Sequence, residues 1–253
     1  SNYGPFNADV LVRTGRTLAI QVNAAKFAGM DIAGQLQATP TGPFAGQLTF
    51  RGSGVDGVAT LAPEGKFQRA DLRATADNAA IPGVSELTIG RAIAAASIVL
   101  ADQPQVVADV QIANLKRGEF LLRTARAKID YRGGNGTVQA VASGSSGVAF
   151  DVALDGRMTP ALWTAALQGQ ASGVKFHTAG PAQIAIDKGI YRLLPTQIDF
   201  DQGSVRLAGR YGDGTVLQAR LDKLDLAIVN AFVPDLGIGG TATGSLDFAQ
   251  TSP

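Results

Sequence analysis

Apolar and polar residues alternate with a period of two along almost the whole chain, and this restricts the fold more than any other feature. FNADVLVR (6–13), TLAIQVN (17–23), MDIAGQLQA (30–38), GQLTFRG (46–52) and DGVATLAP (56–63) send successive side chains to opposite sides of an extended backbone. VVADVQIA (106–113), FLLRTARAKIDYR (120–132), TVQAVAS (137–143), VAFDVALDG (148–156) and ALWTAALQGQ (161–170) continue the series. AQIAIDK, IYRLL, TQIDFD, VRLAGRY, VLQARLD and ATGSLDF close it. At the usual strand length this predicts about 18 to 20 strands and an all-β chain.

The connections are short and rich in glycine, which makes up 31 of the 253 residues. GGNG (133–136), SGSSG (143–147), DQGS (201–204) and GDG (212–214) put residues tolerant of positive φ between alternating runs. Consecutive strands are therefore expected to pair as antiparallel hairpins, giving a long meander.

Two segments read differently. In KLDLAIVNAFVP, Leu224, Ala227, Ile228, Ala231 and Phe232 recur at helical spacing, with Asp222 placed to cap and Pro234 to stop. One short helix near 224–233 is predicted, a flap whose Leu224, Ile228 and Phe232 pack on the sheet. SELTIGRAIAAASIVL (85–100) is ambiguous, its alanines suiting a helix and its Gly90 and β-branched residues a strand.

The alternation also assigns faces. In GVAFDVALD, Val148, Phe150, Val152 and Leu154 share one side, and Ala149, Asp151, Ala153 and Asp155 the other. One helix cannot cover so long an apolar face, so the sheet is expected to fold over or curl on itself. The prediction is an elongated trough with an apolar interior, about 18 strands at roughly 4.8 Å spacing. The residues expected to line this groove are Val138, Ala140, Val148, Phe150, Val152, Leu154, Ile184, Ile186, Ile198, Phe200, Val205, Leu207, Leu217 and Leu221. Residues 1–253 read as a single elongated β-repeat piece, with a sub-boundary near 100.

Chemistry is hard to find. GSGVDG (52–57) matches the spacing of a dinucleotide-binding glycine loop, but a strand and Pro63 follow where that site needs a helix. Asp199 and Asp201 fall on one solvent-facing side, without the later ligands of a calcium loop. His177 is the only histidine and there are no cysteines, so thiolate sites and multi-histidine metal sites are not expected. No serine lies in a nucleophile-elbow sequence. No catalytic residue, metal or cofactor is predicted, and the chain does not read as an enzyme. Its net charge of +1 gives little attraction to nucleic acid, and no nucleic-acid partner is expected. Arg126, Lys128 and Arg132 read as a charged face that keeps an edge soluble. Trp163 reads as core or as the rim of an apolar surface.

The layout of ASGVKFHTAGPAQIAIDKGIYRLLPTQIDFDQGSVRLAGRYGDG followed by LDLAIVNAFVPDLGIGGTATGSLDF resembles the C-terminal conserved region of TamB, the translocation and assembly module subunit of Gram-negative envelopes. Pro181 opening a strand, Pro195 before the next, Gly203 and Gly209 flanking SVRLA, and LDL leading to Pro234 and IGG carry the likeness, over about 100–253. The resemblance implies a curled sheet of the β-taco kind and a periplasmic location, with an inner-membrane anchor on a segment absent here. It implies phospholipid as cargo, an outer-membrane barrel partner of the TamA type, and a role in assembly of outer-membrane proteins. A chaperone or scaffold that pairs its sheet edges with nascent outer-membrane strands is the alternative.

Overall fold

The computed structural model describes residues 7–27, 29–80, 87–226 and 237–251. The chain divides into two compact units, Ser1–Gly133 and Gly134–Pro253. All 18 elements among the described residues are β-strands.

The first unit holds β1 (Asn7–Arg13), β2 (Ala19–Phe27), β3 (Met30–Ala38), β4 (Phe44–Gly52), β5 (Val55–Glu64), β6 (Phe67–Ala80), β7 (Thr88–Leu100), β8 (Gln105–Arg117) and β9 (Phe120–Arg132). Each pairs antiparallel with its successor, so the unit is a plain meander. Residues 88–100 of the ambiguous segment form β7.

The sheet bends without losing its faces. Asn78 in β6 and Asn114 in β8 have φ of 46° and 55°, and Gly90 of β7 lies between them. A Cβ on Gly90 would come within 2.9 Å of the Asn114 Cβ. Opposite Asn114, Arg123 of β9 is likewise skipped by the pairing, which passes from Ala113↔Thr124 to Leu115↔Leu122. A left-handed residue in one strand would turn every later side chain to the wrong side. Here four neighbouring strands shift phase in one row, so Ala76 and Ala79, Ile89 and Ala92, Ile112 and Leu115, and Leu122 and Ala125 stay on the apolar face.

The second unit holds β10 (Asn135–Ser146), β11 (Val148–Met158), β12 (Leu162–Ala171), β13 (Val174–Thr178), β14 (Ala182–Asp187), β15 (Ile190–Phe200), β16 (Ser204–Tyr211), β17 (Gly214–Asp225) and β18 (Thr241–Thr251). β13 and β14 are two halves of one interrupted strand between β12 and β15. Gly180 and Pro181 make the interruption, since proline cannot donate to a ladder. The Thr178 hydroxyl fills part of the gap, accepting the Leu167 N–H at 3.1 Å.

The helix expected near 224–233 is corrected where the structure describes it: Leu224 and Asp225 belong to β17. A shift in register between Leu221 and Leu224, with Lys223 at φ 47°, puts both leucines on one face. Ile228 and Phe232 lie outside the described residues.

Neither unit has a conventional core. Within each unit the extensive Cα approaches run between strands adjacent in the sheet. Among the described residues, Ala25, Ala76, Ala79, Val99, Ala171 and Leu224 form the buried hydrophobic set, and no large side chain is fully buried. A two-layer domain would hide its large residues between layers, whereas here the described leucines, isoleucines and phenylalanines are, Leu224 apart, half-buried or exposed.

Candidate functional site

Direct cross-strand partners lie on the same face of a sheet, so the register identifies the face of every residue. In the second unit, Val138, Ala140 and Gly144 of β10 stand opposite Gly156, Leu154 and Phe150 of β11. Phe150, Val152 and Leu154 stand opposite Ala171, Gly169 and Leu167. The row continues through Phe176↔Phe200, Trp163↔Ile184 and Ile186↔Tyr191. It crosses Ile198↔Val205 and Thr196↔Leu207, then Val205↔Leu221 and Gly209↔Leu217, and ends at Leu217↔Phe248 and Ala219↔Leu246. All fourteen residues expected to line a groove therefore lie on one face, although they come from six strands.

Among the described residues of the second unit no charged one is in register with this face. Asp151, Asp155, Arg157, Lys175, His177, Arg192, Asp199, Arg206, Arg210, Arg220 and Asp247 all lie on the other side. Part of the apolar face is open to solvent. Trp163 is 39% exposed, Phe248 49% and Leu246 62%, so no described residue of the unit covers them fully. Trp163 packs at 5.8 Å from Tyr191, and Phe176 at 6.1 Å from Phe200, each pair bridging neighbouring strands.

The first unit has the same division, which the sequence-based list of groove residues omitted. Ile32↔Phe50, Leu48↔Ala59, Leu61↔Ala70, Ala70↔Ile98, Ile98↔Val106 and Ala108↔Ile129 run across it on one side. Among the described residues only Arg117, at the tip of the β8–β9 hairpin, is a charged residue in register with them. The signal for this face was present in the alternation of β3 to β5, β8 and β9, but β6 and β7 carry it largely on alanine.

The charged faces are laced with complementary pairs. Lys26 stands opposite Asp31, Asp31 opposite Arg51 and Arg51 opposite Asp56. Ion pairs join Lys26 to Asp31 at 3.4 Å and Arg51 to Asp56. Arg126 and Lys128 converge on Asp109 at 2.9 and 3.7 Å, and Arg132 pairs with Asp130 at 2.8 Å. The Arg126 guanidinium, chiefly by its hydrogen bond, holds the Asp109 carboxyl below its ordinary pKa. Such exposed pairs contribute little individually, but they fix strand register and keep the polar side wet.

The remaining sequence candidates are dispersed. His177 lies on the charged face, its Nε2 4.0 Å from Asp199 Oδ2. Asp201 sits beyond β15, where its carboxylate accepts the Lys175 N–H at 3.0 Å. Residues 52–57 form the hairpin turn at Ser53–Gly54 and the start of β5. Among the described residues no group of three or more His, Cys, Asp or Glu could hold a metal ion, and no helix is long and apolar enough to cross a membrane.

No protein-family model matches the sequence, and neither a curated protein nor a solved structure matches the chain.

Proposed function

We propose that this chain is a periplasmic segment of a TamB-like envelope protein, and that its apolar sheet faces take up the acyl chains of phospholipid. The carrying observation is the face of the second unit, charge-free in register from β10 to β18 and without a second layer among the described residues of that unit. Removing apolar surface from water is favourable by about 25 cal/mol per Å², which draws a lipid tail and such a face together without any named hydrogen bond. Binding of this kind is spread along a wall, and the residues of that wall are the half-buried Phe150, Val152, Leu154, Ile198, Val205 and Leu207. The wider role is movement of phospholipid between the two envelope membranes and support of outer-membrane protein assembly with a barrel partner of the TamA type. No catalytic step belongs to this reading.

The test is solvent extraction of the natively purified protein and mass spectrometry of the extract. Phospholipid should accompany the wild type and Ala149→Asp, whose new charge lies on the polar side, and should be lost from Phe150→Asp. Absence of lipid from folded wild-type protein overturns the reading in favour of strand pairing with nascent outer-membrane proteins.

A further inference from the structure

We infer that the charged face of the second unit carries an oxyanion site, built on Arg206 and Arg220, for a small ligand bearing a phosphate group. The inference does not rest on acyl-chain binding, which uses the opposite side of the sheet. Arg206 of β16 and Arg220 of β17 are direct cross-strand partners. Like charges set directly opposite one another destabilise a sheet. Arg192 and Arg210 are opposed in the same way, but there Asp213 pairs with Arg210 at 3.1 Å, and at Lys26–Asp31, Arg51–Asp56 and Arg126–Asp109 the base meets an acid.

Neither guanidinium is neutralised by a carboxylate among the described residues. Arg206 Nη2 donates to Gln197 Oε1 at 3.1 Å, while Gln197 Nε2 donates to Asp199 Oδ1 at 2.7 Å, so a neutral amide holds the Arg206 fork in place. The two arginines border a depression of about 380 Å³ together with Gln197, Ser204, Asp222 and Thr243. That volume is within the range of small-molecule sites, about 300–1,000 Å³.

The register shift in β17 shapes the far wall. It brings the Lys223 N–H onto Thr243 Oγ1 at 3.1 Å, which uses an acceptor lone pair and leaves the hydroxyl proton to be donated. Two guanidinium groups and the Ser204 and Thr243 hydroxyls give the depression a surplus of donors. Asp222, opposite Ser204, is its one carboxylate. Two positive charges against one negative suit an anion, and the planar guanidinium matches phosphate oxygens in bidentate fashion. The phosphate could be carried by a soluble ester or by a lipid headgroup.

Calorimetric titration with sn-glycerol 3-phosphate and with inorganic phosphate, against sodium chloride at equal ionic strength, tests the site. Binding should persist in Phe150→Asp, which separates it from the apolar face. It should weaken roughly tenfold in Arg220→Gln or Arg206→Gln and tighten about threefold in Asp222→Asn. In anion-free buffer Arg220→Gln should raise the melting temperature, because it removes a repulsion. Vesicles of phosphatidylcholine with phosphatidic acid, offered to Phe150→Asp, identify the source: binding only to vesicles assigns the lipid headgroup, and binding to glycerol 3-phosphate in solution assigns a soluble ester. No binding in either arm beyond that of chloride, or binding unchanged in Arg220→Gln, overturns the site. A lower melting temperature for Arg220→Gln also overturns it, since the arginine would then be a structural contact.

Discussion

The Phe176 ring lies across Gly169: a Cβ placed on that glycine would sit 2.8 Å from Phe176 Cζ. The two residues are direct partners on β13 and β12, and the missing side chain of one is the bed of the other. Phe50 lies over Gly57 in the same way on β4 and β5. A ring set over a glycine covers backbone that the glycine itself leaves bare. Gly169→Ala should therefore destabilise the protein by about 1–3 kcal/mol through overpacking, read from the urea midpoint. Gly180→Ala, where no atom lies within 4 Å of the new Cβ, should stay within about 0.5 kcal/mol of wild type.

Neighbours on β11 give a test of sidedness. Phe150 faces the apolar side and Ala149 the other. Leu154→Ala should leave lipid retention nearly unchanged, because no single contact dominates a distributed surface, whereas Leu207→Arg should remove it by placing a charge where a chain must be desolvated. Retention in Leu207→Arg, measured by extraction and mass spectrometry, would remove the wall from the account.

The phase-shifting row in the first unit makes a third prediction. Asn114 sits at φ 55°, a conformation that costs most non-glycine residues about 1–2 kcal/mol and that asparagine tolerates through its short polar side chain. Asn114→Gly should be close to neutral, while Asn114→Val should cost about 1–2 kcal/mol, both measured by chemical denaturation.

Acid should weaken the first unit in a specific way. The Ser97 hydrogen bond, the largest cause, and Arg69 hold the Asp71 carboxyl below its ordinary pKa against a smaller desolvation effect. Arg126 does the same for Asp109. A carboxyl whose folded pKa lies below its unfolded value stabilises the fold above the unfolded pKa, about 3.9, and loses that contribution as pH falls through the folded value. Stability should hold down to about pH 4 and fall below it, and the drop should be smaller in the Asp71→Asn/Asp109→Asn double variant.

The legible part of this fold was the part written in large residues. Val148, Phe150, Val152 and Leu154 alternate with alanine and aspartate, and their face follows from the pleat alone. β6 was not foreseen, because its apolar side is Leu72 among Ala70, Ala74, Ala76 and Ala79, and alanine contrasts weakly with the arginines and aspartates between them. β7 looked half-helical because of its alanines, and in the structure its same-face residues are also three positions apart at the phase shift, Ile89 from Ala92, as are Leu221 and Leu224 in β17. Strand bulges and helical turns share that spacing, and only pairing partners tell them apart. The Arg206–Arg220 apposition was equally hidden, since register across a turn decides which residues meet.

Within each unit every pairing joins strands that are consecutive in the chain or separated by a single half-strand. No segment has to wait for a distant one before it can be placed, so such a chain has low contact order and no obligatory nucleus. Delivered end first through a narrow exit, it could set each hairpin against the last as it emerged. A break in one turn would leave the strands on both sides still paired.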